Sequence, residues 1–163
     1  MLADLRFLPA VTADAPELAR VAARSFAEDV PLFGEVPPGM DREEYHARLI
    51  RDGRTVKLMI GEATVGGLVL FGEEGGSIRI HVVYVDPAWQ DRGIGRQALA
   101  WIEAEYPEAA CFELETPQVK ARNLHLYLDA GYAPCGSRTV AAKAGLVLVR
   151  MCKRRPPKLR PSH

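Results

Sequence analysis

Apolar and polar positions change their spacing several times along the chain, and each change marks an element. Residues 5–10 read as a short strand. A helical spacing follows, with Leu18, Val21, Ala22, Ser25 and Phe26 on one face; Thr12 is its candidate N-cap, with Pro16 and Glu17 in the first turn. Residues 30–40 carry Pro31, Gly34, Pro37, Pro38 and Gly39, a loop that should hold neither regular helix nor central strand. A second helix is expected over 41–52, capped by Asp41, with Tyr45, Leu49 and Ile50 on one side. Strands are expected over 55–60, 64–71 and 77–85, divided by Gly61-Glu62 and by a glycine-rich turn at 72–76, an antiparallel meander. A helix from Gly93 or Ile94 to Tyr106 presents Ile94, Ala98, Leu99, Trp101 and Ile102 to the core and stops at Pro107. Strand 111–116, helix 121–130 ended by Gly131, strand material from Tyr132 and a last strand over 146–152 complete the pattern.

The resulting order, β-α-α-β-β-β-α-β-α-β-β, is mixed α/β, with an early meander and a later βαβ crossover. No internal repeat is visible. The 163 residues suit one domain, expected over 1–152, followed by a basic, proline-broken tail over 153–163 that reads as a flexible end. With 48% hydrophobic and 26% charged residues the composition is that of a globular protein. Twenty-one basic residues balance twenty-one acidic ones, so charge gives no reason to expect nucleic acid or a membrane surface as partner. The first residues lack the charge and apolar stretch of a signal peptide, and no apolar run nears the length of a membrane span, so a cytoplasmic location is expected. Cys111, Cys135 and Cys152 are odd in number and show no metal-ligand spacing, which fits reduced thiols and no metal site.

The most informative chemistry lies where the third meander strand runs through Val83-Tyr84-Val85-Asp86-Pro87 into Gln90-Asp91-Arg92-Gly93-Ile94-Gly95-Arg96 and the helix. Unpaired N–H groups at such a turn and helix start, together with the helix dipole, form an anion site. Glycines let a phosphate approach closely. Gly93-x-Gly95-x-x-Ala98 fits the letters of a dinucleotide fingerprint, but in that motif the first glycine follows its strand almost at once. Here seven residues, Asp86 to Arg92, intervene, and the unit begins about halfway along the chain.

Gln90-x-x-Gly93-x-Gly95 after V-x-V-D-P resembles the pyrophosphate loop of the GNAT N-acetyltransferases, and the order of elements is also theirs. The resemblance covers most of residues 5–152 and is specific in 83–98 and 115–132. It implies the acyl-CoA N-acyltransferase fold, a mostly antiparallel central sheet with splayed central strands flanked by helices, and acetyl-CoA as cofactor. By that resemblance the backbone of Val83, Tyr84 and Val85 would hold the pantetheine arm. Gln90, Asp91, Arg92, Gly93, Ile94, Gly95 and Arg96 would surround the pyrophosphate, with charge-assisted contacts from the two arginines. Asn123-x-x-x-Tyr127-x-x-x-Gly131-Tyr132 resembles the family's second anchor, with Asn123 near the cofactor and Tyr127 as the acid that protonates the departing thiolate. Tyr127 also falls on the apolar face of its helix with Leu124 and Leu128 and could serve as core. Many members carry an asparagine seven residues before this tyrosine; here it is Lys120, so that contact is open to Lys120, Arg122 or Asn123.

Two residues compete as general base. Glu115 matches a glutamate used by some protein N-terminal acetyltransferases, and His81 stands where arylalkylamine acetyltransferases carry a histidine. Either could act through water. The acceptor is expected to be a primary amine of a small molecule or a protein, met by residues 25–40 and a late hairpin around 137–145. Glu28, Asp29 and Glu35 could attract a cationic amine but read more simply as solvent-facing acids. The reading from another class is a non-catalytic acyl-CoA-binding module. Whether two chains pair as a homodimer through their last strands is left open by the sequence.

Overall fold

The unbroken apolar run at 65–70 becomes the middle of the sheet, buried on both faces in β3 (Ala63–Gly72). The computed structural model describes residues 2–143 and 145–156. Around β3 a seven-stranded sheet is ordered β1-β2-β3-β4-β5-β7-β6, with β1 Leu5–Pro9, β2 Arg54–Ile60, β4 Ser77–Val85, β5 Cys111–Pro117, β6 Ala133–Thr139 and β7 Val147–Arg154. All neighbours are antiparallel except β4 and β5. Helices α1 (Ala15–Ser25), α2 (Asp29–Phe33) and α3 (Glu43–Asp52) precede β2; α4 (Ile94–Glu105) joins β4 to β5, and α5 (Ala121–Asp129) leads to β6. The expected mixed α/β class, with its mostly antiparallel sheet flanked by helices, is the one found.

Two clusters of buried side chains lie on opposite faces. Ile94, Ala98, Leu99 and Ile102 of α4 and Tyr127 of α5 pack with Leu68, Ile80 and Phe112 of the sheet. Leu18, Val21 and Ala22 of α1 pack with Met40 and Tyr84. β4 serves both because it changes phase. Leu70 pairs with Ile80 and Val69 with Val82, so His81 is the extra residue of a β-bulge. Before it, Ile78 and Ile80 face the α4 side; after it, Val83 and Val85 do, and Val82 and Tyr84 turn toward α1. β4 and β5 pair over Ser77↔Cys111, Ile78↔Phe112 and Arg79↔Glu113 and part beyond that point. The parted strands are the splay the family resemblance implied.

Several expectations need correction. The loop expected over 30–40 holds α2, because Pro31 sits in a first turn whose N–H groups have no helical partner anyway. Gly34, at φ 81°, ends it by donating its N–H to the Val30 carbonyl. α3 starts at Glu43 with Arg42 at the cap, because Asp41 is still inside the turn closed by the Arg42 N–H on the Gly39 carbonyl. β7, expected over 146–152, runs from Val147 to Arg154, and Arg155 donates to the Tyr106 and Glu103 carbonyls. The rest of the expected tail, residues 157–163, lies outside the described residues. Cys135 and Cys152, expected as thiols, form a disulfide between β6 and β7, with Cys111 free.

Candidate active site

Asp86 organises the chain as it leaves β4. One carboxylate oxygen accepts the Ala88 N–H at 3.0 Å, capping the turn Pro87–Trp89, and the other takes Arg24 of α1. Gln90 then folds back, donating its side-chain amide to the Val85 carbonyl at 3.1 Å. The backbone turns left-handed at Asp91, φ 63°, and again at Gly93, φ 80°, which is the cap of α4. A side chain at Gly93 would strain that turn. Gly95 serves differently: a Cβ there would meet Leu126 Cδ2 of α5 at 3.2 Å, so the glycine lets α5 close on the start of α4.

Three arginines surround this loop. Arg92 lies over the Trp89 ring, 4.8 Å from its centroid. Arg96 pairs with Asp129 at 3.2 Å. Arg122, in the first turn of α5, donates to Gln90 Oε1 at 3.3 Å and to Asp91 Oδ1 at 2.6 Å.

A cleft of about 1090 Å³ follows the loop and continues into the splay. Val83, Tyr84, Val85, Gln90, Asp91, Arg92, Gly93, Ile94, Gly95, Arg96 and Asn123 all line it, so every residue expected at the cofactor stands in one wall or the other. Tyr127 lines it too. Ser25, Phe26 and Glu28 at the end of α1 line it from the opposite face of the sheet, so the cleft joins the α5 side to the α1 side. On their β5 side, residues 83–85 have no neighbouring strand among the described residues, and their backbone groups are available to an extended ligand. Left-handed backbone, a glycine under close approach, a helix start and nearby guanidinium groups fit a pyrophosphate and a pantetheine arm. A smaller hollow of about 420 Å³, lined by Val30, Glu35, Pro38 and Arg42 among others, holds none of the residues expected at the cofactor or in catalysis, and its wall comes largely from the segment 25–40 expected to meet the acceptor.

Tyr127 is core residue and cleft residue at once. It is 8% exposed, meets Tyr132 edge to face at 6.0 Å, and burial pushes its phenol up to about 12. Asn123 donates to Thr116 Oγ1 at 3.4 Å, tying α5 to β5.

Neither candidate base lines the cleft. Glu115 projects from the face of β5 opposite Leu114 and Thr116 and takes two hydrogen bonds from Arg138 of β6, at 2.7 and 3.3 Å. His81 lies on the α3 side, its Nε2 2.9 Å from the Tyr45 hydroxyl and its Nδ1 3.3 Å from an Arg79 guanidinium nitrogen. A guanidinium only donates, so Nδ1 accepts, and Nε2 carries the proton and donates to Tyr45. Burial first, and Arg79 second, lower the His81 pKa. Both residues share the sheet face opposite α4 and α5.

The lysine at the family's asparagine position has a partner the sequence did not suggest. Lys120 Nζ is 2.6 Å from Asp29 Oδ1 and 3.4 Å from Glu28 Oε1, with 10% of the lysine side chain and 3% of the aspartate exposed. Asp29 is thus a buried ion-pair partner, not a solvent-facing acid. The signals were a charge at an asparagine position and an acid opening α2, but their separation by 91 residues left nothing to join them.

Comparison with known proteins agrees with this geometry. The sequence profile of the acetyltransferase (GNAT) family matches residues 22–132. A curated relative, the uncharacterized protein YrkN of Bacillus subtilis, is 28% identical over 131 residues, 71% of this chain; the match spans 65% of that protein's length. An acetyltransferase from Thermus thermophilus superposes with a TM-score of 0.77 at 20% identity, covering 94% of this chain and 99% of that one. The PaiA N-acetyltransferase of Thermoplasma acidophilum, solved in complex with coenzyme A, gives 0.75 at 14% identity, covering 93% and 99%.

Proposed function

The chain belongs to the GNAT acetyltransferase family, and on that premise we propose that it transfers the acetyl group of acetyl-CoA directly to a primary amine of a small molecule or a protein. The observation that carries the reading is the single cleft holding the left-handed loop, the unpaired edge of β4 and Tyr127. Bound acetyl-CoA would supply an activated thioester carbonyl. The loop from Gln90 to Arg96 would hold the pyrophosphate on backbone N–H groups and the α4 dipole. Residues 83–85 would align the pantetheine arm as a neighbouring strand would, and one of their N–H groups would receive the charge developing on the carbonyl oxygen.

Because the splay joins both faces, the amine would enter from the α1 side and the cofactor from the α5 side. Tyr127 would donate its proton to the departing sulfur. Burial keeps that proton on the phenol across the working pH range. For the amine's proton the two candidates are still Glu115 and His81, each acting through water, because Arg138 engages both Glu115 oxygens much as Tyr45 and Arg79 engage the His81 ring.

A thiol-release assay across diamines, amino acids and peptides with free N-termini or lysines tests the reading. Acetyl-CoA-dependent release with at least one amine class, and an acetylated product by mass, is expected. Tight acetyl-CoA binding without turnover on any amine would instead mark a binding module.

A further inference from the structure

The loop after β4 is built to hold an anion, yet it presents a carboxylate. Asp91, its side chain 83% exposed, occupies the left-handed turn in the middle of the loop. A negative side chain there opposes any phosphate that the surrounding N–H groups attract. Its charge is matched by Arg122, which reaches across from α5 at 2.6 Å and is itself 57% exposed. Gln90 aims that guanidinium: its amide donates to the Val85 carbonyl while its Oε1 accepts from Arg122. The loop's own arginines point elsewhere, Arg92 onto Trp89 and Arg96 onto Asp129.

We propose that Arg122 is a phosphate-binding residue for the cofactor, held at the loop by Asp91 until a phosphate group displaces the carboxylate. The proposal rests on the acetyl-CoA reading above and adds a residue to it. Both pairs are charge-assisted, but the pyrophosphate and the 3′-phosphate each carry more negative charge than one carboxylate, and the exposed Arg122–Asp91 pair they replace is worth little, so the exchange runs toward the phosphate. Gln90 stays on the guanidinium throughout, which leaves Arg122 oriented when Asp91 lets go. The phosphate could belong to the pyrophosphate or to the 3′-phosphate of coenzyme A; the chemistry is the same.

Calorimetric titration of the full chain with coenzyme A and with dephospho-coenzyme A decides it, using Arg122→Ala, Asp91→Asn and the double variant. Asparagine keeps the left-handed backbone and removes only the charge. Arg122→Ala should weaken coenzyme A binding by about tenfold or more. Asp91→Asn should tighten it, by roughly two- to fivefold given the exposure of the pair, and the gain should vanish when Arg122 is absent. An equal loss for both ligands in Arg122→Ala assigns the pyrophosphate; a larger loss for coenzyme A assigns the 3′-phosphate. If Asp91→Asn weakens binding, the pair is a brace that shapes the loop and the proposal is wrong. It is equally wrong if Arg122→Ala binds like the wild type. Wild-type protein that bound neither ligand would remove the cofactor reading itself, a result distinct from either failure.

Discussion

Gly67 and Tyr84 stand opposite each other in β3 and β4, and the tyrosine ring lies over the glycine, so that a Cβ on Gly67 would collide with the Tyr84 hydroxyl. The bulge at His81 turns Tyr84 toward α1, and Gly67 makes room for it there. Gly67→Ala should therefore force the ring from its place and cost about 1–3 kcal/mol, read as a lower urea midpoint.

The Tyr84 hydroxyl itself is buried without a hydrogen-bond partner among the described residues, and burial raises its pKa. An unpaired buried hydroxyl costs about 1–3 kcal/mol. Tyr84→Phe should leave the unfolding midpoint unchanged or raise it; a clear drop would mean that the hydroxyl is satisfied in solution.

Gly93 and Gly95 should fail differently. Gly93→Ala strains a backbone at φ 80° and costs about 1 kcal/mol of loop geometry, lowering coenzyme A affinity several-fold. Gly95→Val pushes on Leu126 and should separate α4 from α5, lowering both affinity and thermal stability. Calorimetry beside thermal melts distinguishes the two.

Tyr127→Phe should lower turnover by about 10- to 100-fold while changing coenzyme A affinity little, since only the proton is lost. With the phenol at about 12, Tyr127 stays protonated across the usual assay range. The wild-type rate should therefore show no alkaline fall from this residue below about pH 11. A variant as fast as wild type with every accepted amine would remove the acid role.

His46 is fully buried, donates from Nε2 to the Met40 carbonyl at 2.7 Å, and leaves Nδ1 without a partner among the described residues. Burial lowers its pKa, against which the Met40 contact acts weakly, and His81 is lowered as well. Their neutral forms are thus favoured by the fold. The stability linked to them is complete above about pH 6.5, the unfolded value, and drains away as pH falls through the lowered folded values. Urea midpoints between pH 7 and 5 should decline, and His46→Gln should flatten the decline in part. An identical slope in the variant would show that His46 does not titrate in this range.

Most elements were legible because their apolar spacing matched their final burial, as in α4, whose face of Ile94, Ala98, Leu99 and Ile102 is the one buried. The bulge was not legible, because residues 82–85 are apolar in both phases and give no sign of the face change at His81. α2 was missed because prolines in number argue for a loop, although one in a first helical turn does no harm. The disulfide depends on strand register, with Cys135 at the bulge between Pro134 and Gly136, and cysteine spacing holds no record of that. In the site, the loop from Gln90 to Gly95 was readable because its backbone conformation is written in local residues. The Lys120–Asp29 pair and the Arg138 clasp on Glu115 are tertiary contacts and were not.

The central claim is that the cleft along residues 83–96 and Tyr127 takes acetyl-CoA. Isothermal titration of the full chain with acetyl-CoA, coenzyme A and NAD tests it most directly. One equivalent of each coenzyme A species should bind, with no heat from NAD; absence of binding by every coenzyme A species would contradict the account.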